Sequence, residues 1–142
     1  MINRNAVLGF MRFAVARVGR AGVEEAHEVI TRCSDHLKEN FDLGEYWDPP
    51  YPLGLLRRDT EEREVYAARL EDNMVATFTL DTEPPAYFDL DDYMAKWENP
   101  EAEAIYVFRL AVLPQLQGRG IGTWCMEWIE RDQEKRLPLH TA

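Results

Sequence analysis

A nearly unbroken apolar run, AIYVFRLAVLP from Ala104 to Pro114, leads straight into three glycines at alternate positions, Gly118, Gly120 and Gly122, and then into a helical stripe. A run that does not alternate is the pattern of a strand covered on both sides, so Ala104 to Pro114 is expected in the sheet interior. Pro114 has no amide to give to a ladder and stops the strand. Beyond the glycines, Ile121, Trp124, Cys125, Trp128 and Ile129 recur at steps of three and four, one apolar face of a helix. A strand, a bare loop and an amphipathic helix in succession need a sheet for the helix to lie on.

The rest of the chain supplies that sheet. RFAVARVGR, from Arg12, places Phe13, Val15 and Val18 in a first strand ended by Gly19. Val23, Ala26, Ile30, Cys33 and Leu37 then mark the buried face of a helix from about Val23 to Asn40, with Glu24, Glu25, Asp35 and Lys38 on its other faces. Between Phe41 and Pro52, the residues Gly44, Pro49, Pro50 and Pro52 block regular helix, and an irregular loop is expected. Its Tyr46, Trp47 and Tyr51 have two readings, a wall of a substrate pocket or a tack of the loop to the core. EVYAARL and MVATFTL, split at Glu71-Asp72-Asn73, read as a hairpin of two antiparallel strands. A long connection from Asp81 to Ala104 follows, where DLDDYMAKW is expected to form a turn or two of helix capped by Asp89.

The chain has 142 residues, the size of one domain, and 46% hydrophobic content excludes a disordered chain. No apolar run approaches the roughly 18 residues of a membrane span. The apolar stretch from Ala6 to Met11 is too short for a secretory signal, so a cytoplasmic address is the expectation. Cys33 and Cys125 lie on apolar helix faces and are expected as buried free thiols. A net charge of -10 repels a polyphosphate backbone, and the basic residues are scattered. Even Arg57 and Arg58 are surrounded by Asp59, Glu61, Glu62 and Glu64. Nucleic acid is therefore not expected as a partner, and an acidic surface favours the approach of cationic small molecules.

The glycines have a chemical reading. A helix start exposes unpaired N–H groups and the positive end of the helix dipole, and residues without side chains let an anion reach them. Spacing excludes two familiar phosphate loops. No lysine follows the glycines, as a Walker loop requires, and the third glycine falls one residue too early for a dinucleotide fingerprint. A metal site is not indicated: an EF-hand counted from Asp89 would need glycine at Met94 and glutamate at Pro100, and His27, His36 and His140 lack ligand spacing. The single serine, Ser34, lies in a helical pattern and not on a nucleophile elbow.

Gln117-Gly118-Arg119-Gly120-Ile121-Gly122, directly after Leu110-Ala111-Val112-Leu113-Pro114, resembles the [QR]-x-x-G-x-[GA] motif of the GNAT acyltransferase superfamily. The order of elements from about residue 12 to residue 142 is also similar to that family, with residues 1–11 as an N-terminal extension. The resemblance implies an α/β (α+β) fold with a mixed, mostly antiparallel sheet of about five strands flanked by helices. It implies acetyl-CoA as cosubstrate and transfer of its acetyl group to a primary amine, on a small molecule or a protein. Carried onto this chain, Gln117, Gly118, Arg119, Gly120, Ile121, Gly122 and Thr123 would meet the pyrophosphate. Leu110, Ala111 and Val112 would meet the pantetheine arm, with an N–H near Leu110 or Val112 stabilising the oxyanion. Glu103 and Tyr106, on or just before the central strand, are the candidate catalytic residues for removing the amine proton.

The family normally continues beyond its fifth strand with a helix, often bearing a tyrosine that protonates the thiolate, and two further strands. Here EKRLPLHTA stands about where the fifth strand is expected, so the C-terminal part of the family fold is expected to be missing. A shortened chain, completion by a partner and loss of activity are the three readings. A sheet edge at Leu137 to Leu139 would be a pairing template, which favours association, for example as a homodimer. The other class of function these residues allow is a CoA-binding or interaction module that keeps the anion loop without catalysing.

Overall fold

The computed structural model describes residues 12–41, 51–83 and 104–136. Four strands, β1 (Phe13–Arg17), β2 (Glu64–Leu70), β3 (Asn73–Asp81) and β4 (Tyr106–Val112), form one sheet in the order β1-β2-β3-β4. Every neighbouring pair is antiparallel. Helices α1 (Val23–Asn40), α2 (Leu53–Glu62) and α3 (Ile121–Arg136) pack on it. The expected fifth strand at Leu137 to Leu139, residues 1–11, Tyr46, Trp47, the turn at Asp89 and Glu103 lie outside the described residues.

The sheet is covered on both faces, and the aromatic side chains show how. Trp128 of α3 lies over Tyr66 of β2 and Phe78 of β3, with ring centroids 4.9 and 5.9 Å away, and Trp124 meets Phe13 of β1 edge-on at 4.7 Å. Strand alternation sends Val65, Ala67, Thr77 and Thr79 to the opposite face, toward α1 and α2. β3 is accordingly buried from Met74 through Leu80. Its two threonines are tolerated there in part because the Thr77 hydroxyl donates to the Tyr66 carbonyl at 2.8 Å.

α1 follows its apolar stripe closely: Val23, Ala26, Ile30 and Cys33 are buried, and Leu37 is packed against the core. Glu24 and Glu25 in its first turn complement the helix dipole. α2 is an element that the sequence pattern does not announce. Pro52 caps it, its carbonyl accepting from the Leu55 and Leu56 amides, both at 3.1 Å. The side chains it buries most deeply are Leu56 and Asp59, so a carboxylate stands where a periodic apolar residue would have signalled the helix.

β4 is described on one edge. Among the described residues it pairs only with β3, and the strand expected on its other side falls outside them. Its apolar run reflects cover on its faces, by α1 and α3, and carries no information about its edges. No helix among the described residues is long and apolar enough to cross a membrane.

Candidate functional site

β4 delivers the chain to the glycine loop. The Leu113 amide donates to the Val75 carbonyl at 2.9 Å, and a single 3-10 turn, Pro114–Leu116, then swings the backbone off the sheet. Gly118 and Gly120 have φ of 81° and 89°, in the left-handed region that disfavours any residue with a Cβ. At Gly118 a Cβ would meet nothing within 4 Å, so the demand there is for the dihedral and not for space. The Trp124 amide is paired with the Gly120 carbonyl at 3.0 Å, while helix geometry leaves the first-turn amides of α3 without an intrahelical acceptor. No acidic side chain stands in that first turn to repel an anion.

Val112, Leu116, Gln117, Gly118, Gly120, Ile121, Gly122 and Thr123 line one open groove of about 450 Å³. All the residues from Gln117 to Thr123 proposed from sequence thus fall on the groove or, for exposed Arg119, beside it. Contacts with α1 and with the end of β4 hold the loop. Arg32 donates to the Gln115 side chain at 3.1 Å, and the Gln117 amide group donates to the Val112 carbonyl at 3.0 Å, with the Cys33 sulfur 3.9 Å away. Burial pushes the Cys33 thiol up, and that of Cys125 to about 12, so both stay protonated and serve as packing groups.

Leu110, Ala111 and Val112 continue the site along β4. Because the Leu113 amide turns to β3, ladder alternation turns Ala111 the same way and sends the Leu110 and Val112 amides to the side away from β3. Just before them the strand bulges. Thr77 stands opposite Ala111 and Thr79 opposite Phe108, so Phe78 alone faces both Arg109 and Leu110. Arg109 has φ of 47°, a conformation that costs a residue with a Cβ about 1–2 kcal/mol. Tyr106 is half-buried at the far end of the strand, opposite Asp81, and roughly 20 Å from Val112 at about 3.3 Å per residue.

A polar cluster that the sequence pattern did not bring together sits behind the bulge. The Arg109 guanidinium carbon lies 3.6 Å from the centre of the Tyr51 ring, and its Nη1 is 3.7 Å from Asp59 Oδ2. Tyr51 donates to the same carboxylate oxygen at 2.7 Å, and the Tyr51 carbonyl is 2.8 Å from His27 Nε2. Burial, then the hydrogen bond to Asp59, push the Tyr51 hydroxyl up to about 12. Next to it Arg63 pairs with Asp81 at 3.2 Å and covers the Phe108 ring. The available signal was Arg109 itself, a lone cation inside an apolar run, which must find a counter-ion when its strand is covered. Among the described residues, no group of three or more histidine, cysteine, aspartate or glutamate side chains is placed to hold a metal.

The sequence profile of the acetyltransferase (GNAT) family matches residues 23–140. The chain belongs to that family. Solved GNAT structures share the fold at low identity. The PaiA N-acetyltransferase from Thermoplasma acidophilum, in complex with coenzyme A, superposes with a TM-score of 0.64 at 13% identity, over 89% of this chain and 74% of that one. A ribosomal-protein-alanine N-acetyltransferase from Brucella melitensis biovar Abortus 2308 gives 0.58 at 14% identity, over 88% and 74%. The loading GNATL domain of CurA from Lyngbya majuscula gives 0.56 at 11%, over 85% of this chain but 58% of that one. The chain therefore spans between about half and three quarters of the length of these GNAT structures. None of the curated protein sequences compared with it matches.

Proposed function

We propose that this GNAT chain transfers an acetyl group from acetyl-CoA to a primary amine, and that residues 117–123 hold the CoA pyrophosphate. The observation that carries the reading is the run of two left-handed glycines into the start of α3, along one groove that begins at Val112 on the end of β4. The donor set fits the group: backbone amides at a helix start, no carboxylate in the first turn, and at Gly122 room for only an ordinary contact between a Cβ and Val112 Cγ2 at 3.9 Å.

Acetyl-CoA, when bound, supplies an acyl group activated as a thioester. For transfer, an amine N–C bond forms and the C–S bond breaks; of the two protons the ammonium loses, one passes through the base to solvent and one ends on sulfur. The Leu110 and Val112 amides, on the side of β4 away from β3, are donors for the charge that develops on the carbonyl oxygen. Glu103 and Tyr106 are the candidates for accepting the amine proton. The net charge of -10 favours a cationic acceptor, a polyamine-like or aminoglycoside-like molecule, or a lysine or N-terminus of a protein.

Thiol release from acetyl-CoA in the presence of an amine panel tests this directly. Amine-dependent release with tight CoA binding is the expected result. CoA binding without release for any amine would leave a binding module, and absence of both would remove the site.

A further inference from the structure

Besides Glu71 in the β2–β3 turn, Arg109 is the one non-glycine residue with a positive φ among the described residues, and it lies inside a strand. Such a conformation persists only where its surroundings over-determine it. Those surroundings are specific here. The guanidinium lies over the Tyr51 ring at 3.6 Å and faces the buried Asp59, whose carboxylate also accepts from the Tyr51 hydroxyl. Tyr51 is in turn tied to α1 through His27, and Asp59 belongs to α2. Two helices are thereby connected through one side chain to the single bulge of β4.

The consequence is local. Arg109 immediately precedes Leu110, so its dihedral sets where the Leu110 amide points and, one pleat later, the Val112 amide. Resting on the acyltransferase reading, we propose that Tyr51 and Asp59 form a strut that fixes Arg109 at the bulge and so aims the Leu110 and Val112 amides, which point away from β3, and this makes Asp59 and Arg109 positioning residues for acyl transfer. The glycine loop is outside the strut's reach, because it is held separately by Arg32 and Gln117. The hold on the pyrophosphate is therefore separate from the aim of these amides, and turnover should fall far more than CoA affinity.

Asp59→Asn keeps the shape and an acceptor for Tyr51 but removes the charge under Arg109. Arg109→Lys keeps a cation and loses the planar stack on Tyr51. Both would be measured for CoA affinity by calorimetry, for kcat and acetyl-CoA KM by thiol release at a temperature far below unfolding, and for amide signals by NMR. Expected are a kcat at least tenfold lower, with KM and CoA affinity within about threefold, and displaced Leu110 and Val112 amide signals while that of Leu113 stays put. Unchanged kcat in folded Asp59→Asn, or unmoved Leu110 and Val112 amides, would overturn the strut and leave an ion pair that only docks α2. Parallel loss of CoA affinity would overturn it too, as a general disturbance. No thiol release by the wild type, together with displaced amides in Asp59→Asn, would overturn the acyltransferase reading while the strut stands.

Discussion

Gly120→Val puts the anion loop under the most direct stress. At φ of 89° a β-branched residue is an outlier, and even an unbranched side chain pays about 1–2 kcal/mol in the left-handed region. The loop carries no packed side chain at this point, so in the unbound variant it is free to relax to a negative φ, and the fold retains its stability. Binding must then pull the loop back, and the strain is charged to affinity. A loss of at least 1–2 kcal/mol corresponds to roughly 5- to 30-fold, and the added methyls in the groove raise it beyond tenfold. Arg119→Ala leaves the backbone alone and removes an exposed charge, so it should stay within a few-fold. Calorimetric titration of CoA into the wild type and both variants measures the difference, with circular dichroism confirming that each is folded. A folded Gly120→Val that binds CoA as tightly as the wild type would show that the left-handed loop is not what holds the cofactor.

Gly122 is different, because it is helical and a Cβ there meets only Val112 at ordinary contact distance. Gly122→Ala should raise stability by about 0.5–1 kcal/mol, roughly 2–4 °C in Tm, and keep CoA binding within a few-fold; a lower Tm would mean that the position is more crowded than its geometry shows. Tyr51 has its hydroxyl raised from 10.0 to about 12, so its neutral form contributes stability that is fully present below pH 10 and lost as pH rises through 12. Tyr51→Phe should therefore be less stable than the wild type at pH 8, with the gap closing toward pH 12; melting curves that stay parallel across that range would contradict it. For the acceptor, spermidine should react faster than an acidic amino acid at low salt, and the ratio should fall as ionic strength rises; equal rates at low salt would remove the electrostatic argument.

Much of this architecture is legible because burial writes a period into the sequence. Val23, Ala26, Ile30 and Cys33 announce α1, and Ile121, Cys125 and Ile129 announce α3, since each helix covers a sheet with one face. Three glycines after a proline-stopped strand announce the loop for a different reason, because few backbones other than an anion cradle require such residues together. What stayed hidden was polar. α2 has ten residues, and Asp59 occupies a buried position on it, offset by Tyr51 from just before the helix and by Arg109 from a distant part of the chain. Pairing across 50 residues leaves no local pattern. The bulge at Arg109 was equally silent, since one extra residue in a strand changes the register of a ladder and not its composition.

The central claim is that CoA lies along the path from the glycine loop to the edge of β4 away from β3. Amide chemical shifts of isotope-labelled protein titrated with CoA test it residue by residue. The largest perturbations should fall on Gly118, Gly120, Ile121, Gly122 and Thr123, followed by Leu110 and Val112, with the hairpin around Glu71 and Asp72 unchanged. Saturable CoA binding that perturbs other residues and leaves the amides of 118–123 in place would contradict the account.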